Sequence, residues 1–212
     1  ENRIYLPGTI DPEQEKWKIL PHYVIPNPIF TVGYAGHPGL QFEKERLDWL
    51  VQAVSELNRE GHPCLLKIAG VDRAFMDARM NPAENDPNVI QYLGKIPHKE
   101  CLNMIAGCDF SAIVREDKRA TRAGFPTKFS ESFGCGTPVI TTASSNVSEY
   151  ITEKTGILCD GFSKQAIKEA ILKAMAIDPA ALIEMHNCLR TNSPLVYRNF
   201  TDNLKQFFRN VN

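Results

Sequence analysis

At 212 residues, the chain can bury one sizeable core with some peripheral structure. Its 43% hydrophobic and 23% charged residues are ordinary for a soluble globular protein, and no apolar run is long enough to cross a bilayer or serve a signal peptide. A net charge of −1, from 24 basic and 25 acidic residues, leaves no electrostatic case for a nucleic-acid polymer as partner.

Residues 1–28 carry Pro7, Pro12, Pro21, Pro26 and Pro28. They read as an interdomain connector that packs along the domain without a compact core of its own. Residues 30–36 then form a buried strand ending in glycine. From 43 to 59, Leu47, Leu50, Val51, Val54 and Leu57 recur at helical spacing. Gly61-His62-Pro63 breaks that helix, and 64–70 is the second strand. The polar stretch 71–87 holds a short helix and a loop, followed by a strand at 89–94 and a short helix at 97–106. A fourth strand at 109–115 runs into a charged loop at 116–123. A helix begins at Pro126, and strands follow at 138–142 and 156–159. Helices near 163–177, 179–190 and 198–209 close the chain.

Strands alternating with helices at this spacing predict an α/β fold, a parallel sheet of about six strands with helices on both faces. Ligands of such sheets sit beyond the carboxyl ends of the strands, where the strand order reverses. The loops after Ala35, Ala69, Val114 and Thr142 are therefore the ones expected to carry a site. The six cysteines (64, 101, 108, 135, 159 and 188) form no Cys-x-x-Cys pair and mostly sit in apolar segments. Buried reduced thiols, and hence a cytoplasmic location, are expected.

The stretch from Gly124 to Tyr150 is the most informative. Pro126 suits the first turn of a helix, where its missing N–H costs nothing. Phe129 and Phe133 lie four apart and face a core, while Thr127, Lys128 and Glu131 fall on another face. Gly134 and Gly136 are expected to end this helix. Its first turn would aim free N–H groups and a lysine at whatever lies in front, which is an anion site. The run Phe125-Pro126-Thr127-Lys128-Phe129-Ser130-Glu131-Ser132, with the small-residue turn and Pro138-Val139-Ile140 after it, resembles a glycosyltransferase signature. It is similar to the donor-binding signature of family 4 retaining enzymes of the two-domain GT-B architecture. The variant is bacterial and often found among polysaccharide-building enzymes. That signature is Glu, seven residues, Glu; Glu131 matches the second, and the first falls on Ala123. The resemblance spans about residues 30–160, and more weakly the last helices.

The resemblance implies a Rossmann-like domain over residues 29–192 that binds a nucleotide sugar. A helix over 193–212 would reach toward a missing N-terminal acceptor-binding domain. The family needs two such domains, so this chain, starting with Glu rather than Met, is expected to be the C-terminal half. Any membrane contact would belong to the missing half. The family works without a bound metal or other cofactor, and no metal-ligand spacing occurs in the sequence.

Gly33-Tyr34-Ala35-Gly36, followed by His37-Pro38-Gly39, is a strand-to-loop transition where glycine lets backbone approach a phosphate. The family places a glycine at Gly36, then an arginine and a later lysine. Here His37 takes the arginine's place and Lys44 lies near the lysine's. His37 also reads as an ordinary loop histidine. Arg115 emerges at the end of the fourth strand, where its planar fork suits phosphate oxygens. A surface ion pair with Glu116 or Asp117 is the plainer reading, and Arg119 and Arg122 are alternates. Lys128 can neutralise a diphosphate leaving group, and Glu131 can accept from both hydroxyls of a ribose. Their plainer reading is a mutual i, i+3 pair. The polar loop 141–146 lies near the donor in the family. Glu149 fits a structural glutamate, and His22, His62, His98 and His186 read as surface or structural residues.

The resemblance implies the donor-binding half of a retaining glycosyltransferase that moves a hexose from a nucleoside diphosphate to a saccharide acceptor. Lys128 and Arg115 are the expected catalytic residues. Gly36, His37, Arg115, Thr127, Lys128, Glu131, Thr142 and Ser144 are the expected donor contacts. Alone, this half is expected to bind a donor without transferring it. A sugar-nucleotide epimerase of the same architecture is one alternative, and would need an acid–base pair at the cleft. A non-catalytic module is another, motivated by Ala123 and His37.

Overall fold

The computed structural model describes residues 4–211. Short runs rich in β-branched and aromatic residues form β1 (Phe30–Ala35), β2 (Cys64–Ala69), β3 (Ile90–Gly94), β4 (Phe110–Ile113), β5 (Val139–Thr141) and β6 (Gly156–Leu158). Around them lie α1 (Glu15–Lys18), α2 (Leu47–Arg59), α3 (Arg73–Asp77), α4 (His98–Ala106) and α5 (Arg119–Arg122). They are followed by α6 (Thr127–Cys135), α7 (Lys164–Met175), α8 (Pro179–Asn192) and α9 (Thr201–Val211). Every strand pair is parallel, in the order β3-β2-β1-β4-β5-β6. The chain thus builds outward from β1 to one edge, then returns to add β4 on β1's other side. The order reverses between β1 and β4.

Alternation along the strands splits the core into two layers. Val32 and Tyr34 of β1, Leu66 and Ile68 of β2 and Phe110 of β4 pack with α2 and α7. Ile113 of β4 and Val139 of β5 pack with Leu102 and Ile105 of α4 and with Phe129 and Phe133 of α6. The result is the Rossmann-like α/β sheet expected, with helices on both faces.

Three local expectations are revised. Residues 43–46 are not helical, because Lys44 N and Glu45 N donate to Pro38 O and Arg46 N donates to Val114 O. The charged loop after β4 contains the short α5. Gly134 lies inside α6, which ends only at Gly136 in the left-handed conformation (φ +76°). Gly134 is there for close packing, since a Cβ would stand 2.8 Å from the Trp17 ring.

That contact is one of several that join residues 4–28 to the domain core. Ile10, Trp17 and Leu20 are buried beside Phe133 and Leu189, and Ile10 pairs with Val196. Asp109, buried just before β4, gathers the rest of the segment. Its carboxylate accepts from the Tyr23 hydroxyl, from Asn27 N (3.2 Å) and Nδ2 (3.0 Å), and from Thr31 N (2.6 Å). Tyr23 stacks on His186 at 3.7 Å, and His186 Nε2 donates to Asp109 O at 3.0 Å. Burial lowers the His186 pKa to about 4. All six cysteines are unpaired thiols.

Two predictions follow from this packing. His186 folds neutral, so its contribution is complete above the unfolded pKa of about 6.5 and is lost as pH falls toward 4. Urea denaturation at a series of pH values should show His186→Gln lacking a loss of about 3 kcal/mol across that window. The second concerns two glycines with positive φ. Gly70 has φ +110°, and a Cβ there would lie 2.4 Å from Gly36 O. Gly61, at φ +88°, has open space around it. Gly70→Ala should therefore destabilise by roughly 2–4 kcal/mol and Gly61→Ala by about 1 kcal/mol in the same assay.

Candidate functional site

A cleft of about 530 Å³ opens where the strand order reverses, at the carboxyl ends of β1 and β4. Gly36 and His37 line it from the loop after β1, Arg115 and Lys118 from the loop after β4, and Thr127 and Lys128 from the first turn of α6. The position of α6 is set by its apolar face. Phe129 and Phe133 are fully buried, with ring centroids 4.6 Å apart, and Phe125 meets Phe129 edge-on. Pro126 is the N-cap, in an extended conformation, so the helix starts at Thr127 with its polar face on the cleft.

Lys128 is held on three sides. Its Nζ donates to Glu45 Oε2 at 2.5 Å and lies 4.5 Å from the centre of the Tyr34 ring. Below it is Gly36 (φ +127°), where a Cβ would stand 2.8 Å from Nζ. Only glycine fits both the backbone and the space. Burial, then the Glu45 charge, raises the pKa of the Tyr34 phenol, which stays neutral. Glu131, one turn further along α6, is half-buried and bonds His98 Nε2 at 2.9 Å through Oε1. Lys128 and Glu131 thus have separate partners on other elements, and the mutual i, i+3 pair is not what forms.

Arg115 is half-buried and makes no ion pair among the described residues. The acids beside it are engaged elsewhere: Glu116 with Lys118 at 3.5 Å and Asp117 with Arg122 at 2.7 Å. Arg122 also holds the Asp117 carboxyl below its usual pKa. The backbone of Arg115 is fastened by Thr142, whose hydroxyl accepts from Arg115 N (2.9 Å) and donates to Arg115 O (2.6 Å).

The structure therefore brings Gly36, His37, Arg115, Thr127 and Lys128 into one cleft, with Glu131 next to it. His37 is an exposed wall residue. Its Nδ1 accepts from Gly39 N at 3.1 Å, and its ring meets Phe75 edge-on. Thr142 and Ser144 do not line the cleft. Thr142 is the clip described above, and Ser144 is buried, with a hydroxyl that has no partner among the described residues. Ser145, alongside, has φ +53°.

Sequence reasoning missed Glu45, His98 and Lys118. Glu45 sits in a charge run that reads as the solvated start of α2. Lys118, which donates from Nζ to Glu43 O at 2.7 Å, reads as part of a charged loop. Among the described residues, no group of three or more His, Cys, Asp or Glu could hold a metal ion, and no helix is long and apolar enough to cross a membrane.

Comparison with known proteins bears on the family and the fold. Residues 38–193 match the sequence family described as glycosyl transferases group 1. A GDP-mannose-dependent monoacylated alpha-(1-6)-phosphatidylinositol monomannoside mannosyltransferase of Corynebacterium glutamicum is 23% identical over 130 residues, covering 60% of this chain and 34% of that protein. Among solved structures, sucrose-phosphate synthase from Thermosynechococcus elongatus matches with a TM-score of 0.70 at 19% identity, covering 97% of this chain and 52% of that one. The pneumococcal O-GlcNAc transferase GtfA, in complex with UDP and GlcNAc, matches with a TM-score of 0.61 at 17% identity, covering 97% of this chain and 38% of that one. The chain thus spans about half the length of these relatives or less. The family match extends over well more than half of the chain, and on that ground the protein belongs to the glycosyl transferases group 1 family.

Proposed function

We propose that the cleft between β1 and β4 binds a nucleoside diphosphate sugar, and that the chain is the donor-binding part of a retaining glycosyltransferase of family 4. One observation carries this reading: Lys128 stands on the first turn of α6, directly over Gly36 at the strand-order reversal, with Glu131 one turn behind it. The helix N-terminus, Lys128 and Arg115 would receive the diphosphate and stabilise its charge as the bond to the anomeric carbon breaks. Glu131 would accept from the ribose hydroxyls through the oxygen that His98 leaves open. Transfer of the hexose to a saccharide, with retention by front-side attack, would need an acceptor-binding domain facing this cleft. A role in cytoplasmic polysaccharide synthesis fits the same reading.

A donor-binding module without catalysis is the second reading. Ala123, exposed after α5, supplies no carboxylate where the family signature carries its first glutamate.

Thermal unfolding against UDP, GDP, ADP, CMP and their sugar conjugates tests the proposal. GDP and UDP come first because two relatives are named with them. A nucleotide at a hundred times its dissociation constant should raise the midpoint by roughly 5–10 °C. The shift should disappear in Glu131→Ala. Lys128→Met should weaken diphosphate affinity about 10- to 100-fold while leaving the nucleoside's unchanged. No shift with any nucleotide, or an undiminished shift in Glu131→Ala, would sink the donor reading.

A further inference from the structure

Glu45 lies in the cleft, yet the donor-site reading gives it nothing to do. It is only 6% exposed and is bonded to Lys128, the cation assigned to the diphosphate. Its backbone is also fastened. The backbone on either side is tied to Pro38 O and Val114 O, and Leu47, two residues on, is fully buried at the start of α2. The backbone that carries the carboxylate is thus joined to both walls of the cleft. Lys128 Nζ in turn lies over the Tyr34 ring, in the space that the missing Cβ of Gly36 leaves open.

Charge makes this pairing consequential. Lys44, Arg115, Lys118 and Lys128 line the cleft as cations, and Glu43 and Glu45 as acids. Among the described residues, only Glu45 joins its carboxylate to one of those four cations from within the cleft. The side chains of Lys128 and Glu45 are 20% and 7% exposed, so water screens the pair only in part. An ammonium has three donors, and Glu45 takes one, which leaves two for a phosphate. A phosphate oxygen bonded to the same ammonium stands roughly 4–5 Å from the carboxylate.

We propose that Glu45 is a resident counter-charge: it holds Lys128 in place while the cleft is empty, and it weakens the grip on a bound diphosphate so that the nucleotide product can leave. The proposal rests on the donor reading above, and it assigns Glu45 to setting affinity rather than to the chemistry. Two like charges at that separation change affinity about fivefold even at the dielectric constant of water, and more in a partly buried cleft.

Calorimetric titration of the 212-residue chain with inorganic pyrophosphate, comparing wild type with Glu45→Gln, tests this. The amide keeps the shape of the side chain and still accepts from Lys128, but carries no charge. The expected result is an affinity raised at least about fivefold in Glu45→Gln. Damaged packing does not produce a gain in affinity, so a gain separates this role from a structural one. An affinity that is unchanged or lowered overturns the counter-charge role and leaves the donor site standing. Pyrophosphate bound by neither protein overturns both, because the cleft would then hold no diphosphate.

Discussion

The site depends on the burial of one helix face. Phe129 and Phe133 sit beneath β4 and β5 with no exposure, and each buried aromatic ring contributes about 2–3 kcal/mol. The polar contacts of the same helix are weaker determinants of where it lies. The Lys128–Glu45 pair is largely buried, so its attraction is offset by the cost of taking both charges out of water. The Glu131–His98 contact is exposed, and such pairs contribute at most about 1 kcal/mol. The apolar face therefore decides where α6 starts, and the ion pairs decide only how its polar side chains are aimed. Trp17 against Gly134 extends this anchor into the N-terminal segment, so residues 4–28 share a core with the helix that faces the cleft.

Much of this fold is legible in the sequence, because each strand and long helix carries a local signal. Apolar runs at the strands and the 3.6-residue recurrence in α2 survive without tertiary information. The strand order is a different kind of fact. Pairing of β1 with β4, through Val32 with Phe110, joins segments far apart in the chain, and alternation alone does not specify it. The site divides in the same way. Lys128 and Glu131 are visible because they ride on a helix with a recognisable pattern. Glu45 and His98 are invisible because the contacts that matter span 83 and 33 residues. An i, i+3 rule sees only Lys128 beside Glu131, and longer reaches replaced that local pair. Thr142 makes a contact that its position in the sequence does not reveal. It lies at the predicted strand end, and its hydroxyl both accepts from and donates to the backbone of Arg115.

That engagement bears on what the cleft can do. By gripping both the N–H and the carbonyl of Arg115, Thr142 joins the ends of β4 and β5, so the guanidinium projects from a fixed backbone. Lys128 is fixed from the other wall. A charged group held in place before a ligand arrives needs little reorganisation when negative charge develops, which is where electrostatic stabilisation is most effective. The two cations differ in one respect. Lys128 comes with its own carboxylate, whereas Arg115 has none among the described residues, its acidic neighbours being bound to Lys118 and Arg122.

Ala123 is the remaining departure, and its surroundings limit what it can mean. The turn that carries it is well built. The Thr121 hydroxyl accepts from Lys118 N and donates to Glu116 O, and Thr121 itself is buried. The loop is therefore well formed at the position where the resembled signature carries its first glutamate. On the donor reading, a sugar hydroxyl at that end of the cleft would meet no dedicated acceptor. Sites reject a substrate lacking a hydroxyl strongly only when a buried polar group is left unpaired by its absence. Ala123 is exposed and offers no such group. Discrimination at that hydroxyl would then fall to shape, which separates related sugars far less sharply than a buried carboxylate does.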